Sequence, residues 1–146
     1  GGRFIMDLIV EAHEMLLKAG LRDKVTLLHS GGVVAADHLP KAIICGVDAV
    51  GLDLPLLVAM QARLIGDTSN REGYTAKFPR KFKDSWACQR IVNLTGSWRD
   101  QMLEILGAMG IREVRRLRGE MGRAMWCTHL EEEAFSEIEG FIGGGI

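Results

Sequence analysis

The chain has 146 residues, of which 47% are hydrophobic and 25% are charged. This composition is typical of one globular domain, or part of a larger one, and argues against disorder. The 18 basic and 19 acidic residues give a net charge of −1, which does not indicate a nucleic-acid or membrane partner. The most apolar stretch, residues 42–60, is interrupted by Asp48, Asp53 and Pro55 and does not fit a membrane span.

Three widely spaced cysteines exclude a disulfide scaffold and favour a reducing compartment, so we expect a cytoplasmic protein. The charge is uneven along the chain. Residues 71–118 carry 11 basic and 5 acidic groups, whereas residues 119–146 carry 1 basic and 6 acidic groups. The basic block is either a solvated surface, partly neutralised by the acidic tail, or a docking surface for an acidic redox partner or other protein. Stacking aromatics are not interleaved with it, so nucleic acid is not expected.

Residues 5–19 have the spacing of an amphipathic helix. Its apolar stripe consists of Ile5, Leu8, Ala12, Met15, Leu16 and Ala19. Charged side chains lie on the opposite face, so we expect the stripe to face the core.

The next stretch alternates between strand and helix signals. In chain order, the patterns predict a buried strand at 24–29, a helix at 37–45, a strand at 48–51 and a helix at 55–64. Asp37 is expected to cap the first of these helices. The alternation is typical of a parallel α/β sheet, so the two strands should be adjacent and parallel, with a right-handed crossover.

Two strands do not make a stable sheet by themselves. We therefore expect the remaining strands to belong to another chain or to a larger α/β protein. The isolated chain should self-associate as a homo-oligomer or require its missing part.

The rest of the chain contains weaker signals, which divide it into parts. The predicted organisation is a βα part at 1–65, a polar loop at 66–83, a helical extension at 84–140 and a disordered tail at 141–146. Within the extension we expect helices at 84–109, 113–117 and 130–138.

Two glycine turns follow the two predicted strands. Ser30, Gly31 and Gly32 come after the first strand, and Gly51 and Leu52 come after the second. Parallel α/β proteins bind ligands at the carboxyl ends of their strands, and glycines let backbone N–H groups approach a phosphate closely. These five residues are the candidate phosphate-binding set. The alternative is that the Gly31–Gly32 pair only makes a tight turn.

Other candidate residues have structural interpretations. No Ser-His-Asp set, carboxylate pair or metal-ligand cluster is evident, so catalytic residues remain unknown and no metal is expected. His29, at a strand end, is interpreted as structural, and Cys45 as an inert core residue.

The stretch 27–51 combines an apolar strand, a glycine turn, a short helix and a second strand ending in glycine. The residues that define the pattern are Ser30, Gly31, Gly32, Lys41, Ala42, Gly46, Asp48 and Gly51, with His38 where the family described next has Asp. This pattern resembles the flavin-binding end of the central domain of the glutamate synthase family. The likeness covers about residues 4–125 and includes Arg90-Ile91-Val92-Asn93 and Trp98-Arg99-Asp100.

The resemblance implies a (β/α)₈ barrel that holds FMN and makes glutamate from 2-oxoglutarate and ammonia. It implies that this chain is an α/β protein carrying the last two βα units of a TIM-like barrel, followed by C-terminal helices. A whole barrel needs about 250 residues. The groups that touch the flavin ring and the substrate would therefore lie upstream, and this chain would contribute the turns that bind the FMN phosphate.

Three departures from the family pattern matter. Val34 and Ala35 replace polar residues that are common in this loop of the family. Residues 60–87 contain no cysteine where the family often carries the ligands of an iron–sulfur cluster, so no cluster is expected. Asp53 follows the second glycine turn, where a carboxylate would repel phosphate while capping its own helix.

Three functions remain open from the sequence. The first is part of a glutamate synthase-like flavin oxidoreductase. The second is a degenerate, non-catalytic relative that acts in assembly or partner binding. The third is another phosphate-binding barrel enzyme.

Overall fold

The computed structural model describes residues 4–67 and 73–121. The expected helix at 130–138 and the expected disordered tail lie outside these ranges. The helices are α1 (Ile5–Lys18), α2 (His38–Cys45), α3 (Leu54–Ala59) and α4 (Asp84–Ala108). The strands are β1 (Leu28–Ser30), β2 (Ala49–Gly51), β3 (Arg63–Gly66) and β4 (Tyr74–Lys77), and a 3₁₀ turn spans Val114–Leu117. Within the described ranges no helix has the length and apolar character that crossing a bilayer requires.

β1 and β2 form a parallel pair linked by α2, which confirms the predicted adjacency and direction. The ladder is shorter than the predicted strand at 24–29. Lys24 donates its N–H to the carbonyl of Leu21 in a turn, and Leu27 donates its N–H to the Asp48 carboxylate. The chain therefore enters the ladder only at Leu28.

A second sheet corrects the prediction for residues 66–83. β3 and β4 pair antiparallel, with Arg63 opposite Lys77 and Gly66 opposite Tyr74, so β4 lies in the segment expected to be a loop. The helix expected at 55–64 ends at Ala59, because Gln61 turns the chain with a φ of 56° and directs it into β3. The described residues form a mixed α/β arrangement of two two-stranded sheets, and they do not close into a barrel.

The core lies where α1, α2 and the carboxyl-terminal part of α4 meet. Its buried members are Ile9, Ala42, Ile43, Val47, Met102, Leu106, Ile111 and Leu117. The 3₁₀ turn closes this cluster, because Leu117 has no exposed surface. The long helix predicted at 84–109 is thus confirmed, and its last turns pack against the βα part in this core.

The face of α1 that is buried differs from the predicted one. Ile9 and His13 are the buried residues of α1, whereas Ile5, Leu8 and Met15 of the predicted stripe are exposed. On β1, Leu28 is 68% exposed. The described structure therefore leaves apolar surface uncovered on both elements. This result is expected if a further layer normally packs there.

The expected cap of α2 is also wrong. Asp37 already has helical backbone angles (φ −70°, ψ −17°) and makes no side-chain bond to the helix N-terminus. Its carboxylate instead accepts from Lys41 Nζ at 2.7 Å. N-cap residues whose side chains bond the helix typically have extended backbone angles, which Asp37 lacks.

Candidate functional site

The two predicted glycine turns lie side by side. β1 ends at Ser30 and β2 ends at Gly51, and these two residues are register partners in the parallel ladder. Gly31 and Gly32 follow with φ values of 99° and 69°, a region that L side chains rarely adopt. Both turns therefore open at the same edge of the sheet.

Open space lies beside the first turn. A Cβ added at Gly31 or Gly32 would meet no atom within 4 Å, whereas a Cβ at Gly51 would approach Ser30 Oγ to 3.2 Å. Glycine at position 51 thus leaves room for the Ser30 hydroxyl. Leu52 follows and is half-buried. The first turn and the Ser30 hydroxyl therefore border an open space at this edge of the sheet.

A carboxylate stands at the second turn. Asp53 precedes α3, and its Oδ1 accepts from the N–H of Leu54 at 2.6 Å. The side chain therefore caps its own helix, as the sequence predicts. Its negative charge opposes an anion in the adjacent space.

His29 and Val50 occupy the other face of the two-stranded sheet. They are register partners, and Val50 packs against the core cluster. His29 is buried beside it. This placement on the core side agrees with the structural interpretation of His29 and separates it from the exposed residues Leu28 and Ser30.

A polar network lies at the opposite, amino-terminal end of β2. Arg22, only 3% exposed, donates Nη2 to the carbonyl of Gly46 at 2.7 Å and to Asp48 Oδ2 at 2.8 Å. Its Nε donates to His13 Nδ1 at 2.9 Å. The other Asp48 oxygen accepts from Arg118 Nη1 at 2.6 Å. One carboxylate thus joins the loop after α1, the start of β2 and the chain after the 3₁₀ turn.

The network shifts the pKa values of two of its residues, Asp48 and His13. Burial tends to raise the pKa of Asp48, but hydrogen bonds from the Leu27 N–H, Arg118 and Arg22 outweigh burial and lower the pKa to about 2. Burial lowers the pKa of His13, and the positive charges of Arg22 and Arg118 lower it further. Neutral His13 and ionised Asp48 are therefore the forms that the fold stabilises.

Sequence reasoning missed this network. Asp48 belongs to the motif from 27 to 51, but its cationic partners lie 26 and 70 residues away along the chain. No local spacing joins residues so far apart. Because the network lies at the end of the sheet opposite to the glycine turns, we assign it to stability rather than to ligand binding.

Metal-ligating side chains do not gather in the described part of the chain. Across residues 4–67 and 73–121 no three His, Cys, Asp or Glu side chains lie close enough to hold a metal ion. Cys45 is half-buried, and burial raises the pKa of its thiol, which favours the unreactive form.

Parallel strands that each end in a glycine turn define the class of α/β proteins whose ligands bind at the carboxyl end of the sheet. Residues 2–112 match the family described as the conserved region in glutamate synthase. The chain belongs to this family.

Curated relatives agree with this assignment. The chain is 29% identical over 143 residues to the archaeal glutamate synthase (NADPH) of Methanocaldococcus jannaschii, with 94% of this chain and 28% of that protein covered. It is 32% identical over 115 residues to the corresponding protein of Archaeoglobus fulgidus, covering 73% and 22%. The archaeal-type glutamate synthase (NADPH) of Thermotoga neapolitana is 28% identical over 117 residues, covering 76% and 23%.

The chain thus spans roughly a quarter of the length of these relatives. No solved structure matches it significantly.

Proposed function

We propose that this chain supplies the FMN-phosphate-binding turns of an FMN-dependent, glutamate synthase-like oxidoreductase. The observation that carries the proposal is the register of the parallel pair, which places the Ser30–Gly32 turn beside Gly51 and Leu52. Membership of the glutamate synthase family supports it. When bound, FMN would supply the electron transfer that the family's synthesis of glutamate from 2-oxoglutarate and ammonia requires.

The chain's own part in this function is binding and orientation. Backbone N–H groups of Gly31, Gly32, Gly51 and Leu52, with the Ser30 hydroxyl, are the proposed phosphate donors. Fixing the phosphate at the sheet edge fixes the distance from this edge to the flavin ring. No catalytic residue is assigned in this chain, because the ring and substrate contacts are proposed to come from the preceding part of the barrel.

The uncovered apolar surface supports the barrel architecture. Leu28 on β1, and Ile5, Leu8 and Met15 on α1, are all exposed. In a (β/α)₈ barrel the inner strand face and the flank of the preceding helix are covered by neighbouring βα units. We therefore propose that these strands and helices are the last two units of such a barrel, completed by the rest of a longer protein or by another chain.

This architecture predicts that the isolated chain self-associates through the uncovered surface. Changing Met15 to Lys should lower the weight-average mass measured by light scattering, because it places a charge on that surface. Leu103→Lys, an equivalent change at an exposed position of α4, should leave the mass unchanged. A monodisperse 16 kDa wild-type particle with a cooperative melt would contradict this part of the proposal.

Asp53 favours the alternative function, a non-catalytic relative. Its carboxylate already bonds the first N–H of α3, and it weakens the attraction of the second turn for a dianionic phosphate. In that case the chain would act through assembly or partner binding, with an acidic protein as one candidate partner for the basic residues 71–118.

A titration separates the two functions. We expect weak binding of FMN and of inorganic phosphate by the wild-type chain, because only part of the flavin site is present. Asp53→Asn should increase the affinity for each of the two ligands by about fivefold. This factor corresponds to roughly 1 kcal/mol, the size of the effect of a charge at a helix terminus. Asp100→Asn on α4 removes the same charge and should change neither. Micromolar FMN binding by the wild-type chain would contradict the non-catalytic alternative, and no gain for either ligand in Asp53→Asn would show that the carboxylate does not oppose the phosphate.

A further inference from the structure

The antiparallel pair of β3 and β4 has one fully exposed face. Side chains of a strand alternate between the two faces of its sheet. One face of this pair carries exposed side chains only, those of Arg63, Ile65, Thr75 and Lys77. The other face carries half-buried side chains, those of Leu64, Tyr74 and Ala76. The pair therefore presents two chemically different faces.

Two cations lie directly opposite each other on the exposed face. Arg63 and Lys77 are register partners, and like charges in this position destabilise a sheet. Neither forms an ion pair with a residue that the structure describes. Exposed cations also follow β4, namely Arg80, Lys81 and Lys83. This surface should therefore attract carboxylates.

Aromatic contacts keep these additional cations near the end of β4. Phe78 directly follows Lys77, and its ring centroid lies 5.1 Å from that of Phe82. The Phe82 ring in turn meets the edge of Trp86, at the start of α4, with the centroids 6.1 Å apart. The tilted and edge-on rings do not form a row of parallel platforms for stacking bases, which favours an acidic protein segment over a nucleic acid.

The outer edge of β4 is open. Among the described residues the sheet has two strands. Asp67 donates its N–H to the carbonyl of Gly73 at 2.9 Å, and hydrogen-bonded pairs alternate with non-bonded pairs along an antiparallel ladder. The N–H and C=O groups of Tyr74 and Ala76 therefore point away from β3. An extended segment can pair with these groups as a third strand, and three strands are more stable than two.

We propose that the outer edge of β4 binds an extended acidic segment of a partner protein. Carboxylates at alternate positions of this segment lie on the face of Arg63 and Lys77, and apolar side chains at the positions between lie on the face of Tyr74 and Ala76. The same cations disfavour a second copy of β4, because pairing would bring two basic faces together. The site shares no residue with the glycine turns, so it does not depend on FMN binding.

A binding titration with charge reversal tests the role of the cations. The probe is a fluorescein-labelled peptide of alternating Glu and Val, added to the full chain and followed by anisotropy. Arg63→Glu should weaken binding at least about fivefold, because it turns an attraction into a repulsion. The new carboxylate would also face Lys77 across the pair and stabilise it, so the hairpin is retained. Arg112→Glu, the same change at an exposed position outside this surface, should leave the affinity unchanged.

Amide hydrogen exchange measured by NMR tests the strand pairing. With the peptide bound, the N–H groups of Tyr74 and Ala76 should exchange at least about tenfold more slowly. The N–H groups of Thr75 and Lys77, which already bond β3 in this ladder, should change less.

Several results would overturn the proposal. These are no binding of the peptide, equal affinities of Arg63→Glu and Arg112→Glu, and binding without added protection at Tyr74 and Ala76. Tighter binding of a single-stranded oligonucleotide or of anionic lipid vesicles than of the peptide would also overturn it, since either would assign the surface to phosphate groups instead of an acidic strand.

Discussion

Replacing Asp48 by Asn should strongly destabilise the protein, because this carboxylate holds the polar network at the start of β2 together. Asp48 accepts from Leu27 N–H, Arg22 and Arg118, and its side chain is 21% exposed. Asn keeps one oxygen acceptor but removes the charge that compensates buried Arg22. The change therefore weakens every contact that Asp48 itself makes.

The magnitude follows from the titration of this carboxyl. Its pKa is lowered from 3.8 to about 2, which corresponds to about 2 kcal/mol of preference for the ionised form in the folded state. This value already includes the interaction with Arg22. Breaking a buried ion pair by removing one partner costs about 3–5 kcal/mol, which sets the upper end of the range because Asn keeps one acceptor oxygen. We expect Asp48→Asn to lower the free energy of unfolding by about 2–4 kcal/mol.

The assay is urea unfolding followed by circular dichroism at neutral pH, with Asp23→Asn as the control. Asp23 also pairs with Arg118, but its side chain is 90% exposed, so its loss should cost less than about 1 kcal/mol. Because the folded-state pKa of Asp48 is lowered, its contribution is present above pH 4 and is lost as pH falls towards about 2. Equal effects of the two substitutions would refute the assignment of Asp48 as the centre of the network.

Two further predictions concern the residues around His13. The pKa of His13 is lowered in the fold, so its contribution to the stability of the protein is fully present above pH 6.5, the ordinary pKa of histidine, and declines as pH falls below that value. His13→Gln should therefore reduce the change in melting temperature between about pH 7.5 and 5.5. An unchanged pH profile of the melting temperature would contradict this. Gly46→Ala should cost about 2–3 kcal/mol by urea unfolding, because its φ is 128° and the added Cβ would lie 2.5 Å from the His13 Cβ. The control is Gly107→Ala on α4, where an added Cβ meets nothing within 4 Å. This change should instead stabilise the protein by about 0.5–1 kcal/mol. A similar loss of stability in both variants would show that the close approach to His13 is not the cause.

The sequence predicted the elements whose signals are local. The glycine turns after β1 and β2 and the long apolar period of α4 fixed the parallel pair and the last helix within a few residues. The antiparallel pair β3–β4 was missed, because its strands are four residues each and only Leu64, Tyr74 and Ala76 alternate inward. Strands this short do not rise above the polar background of the segment.

The sequence could not predict what depends on distant partners. The face of α1 that is buried is decided by His13 meeting Arg22 and by Ile9 entering the core, not by the apolar stripe. That stripe remains exposed. In the proposed barrel, a neighbouring βα unit would cover this stripe.

Backbone amide resonances test the central proposal most directly. In a two-dimensional NMR titration of the full chain, FMN and inorganic phosphate should shift the N–H signals of Gly31, Gly32, Gly51 and Leu52, because the proposed donors are these backbone groups. Riboflavin lacks the phosphate and should leave the four signals in place at the same concentration. Equal shifts with FMN and riboflavin, or shifts confined to other residues, would contradict a phosphate site at the two glycine turns.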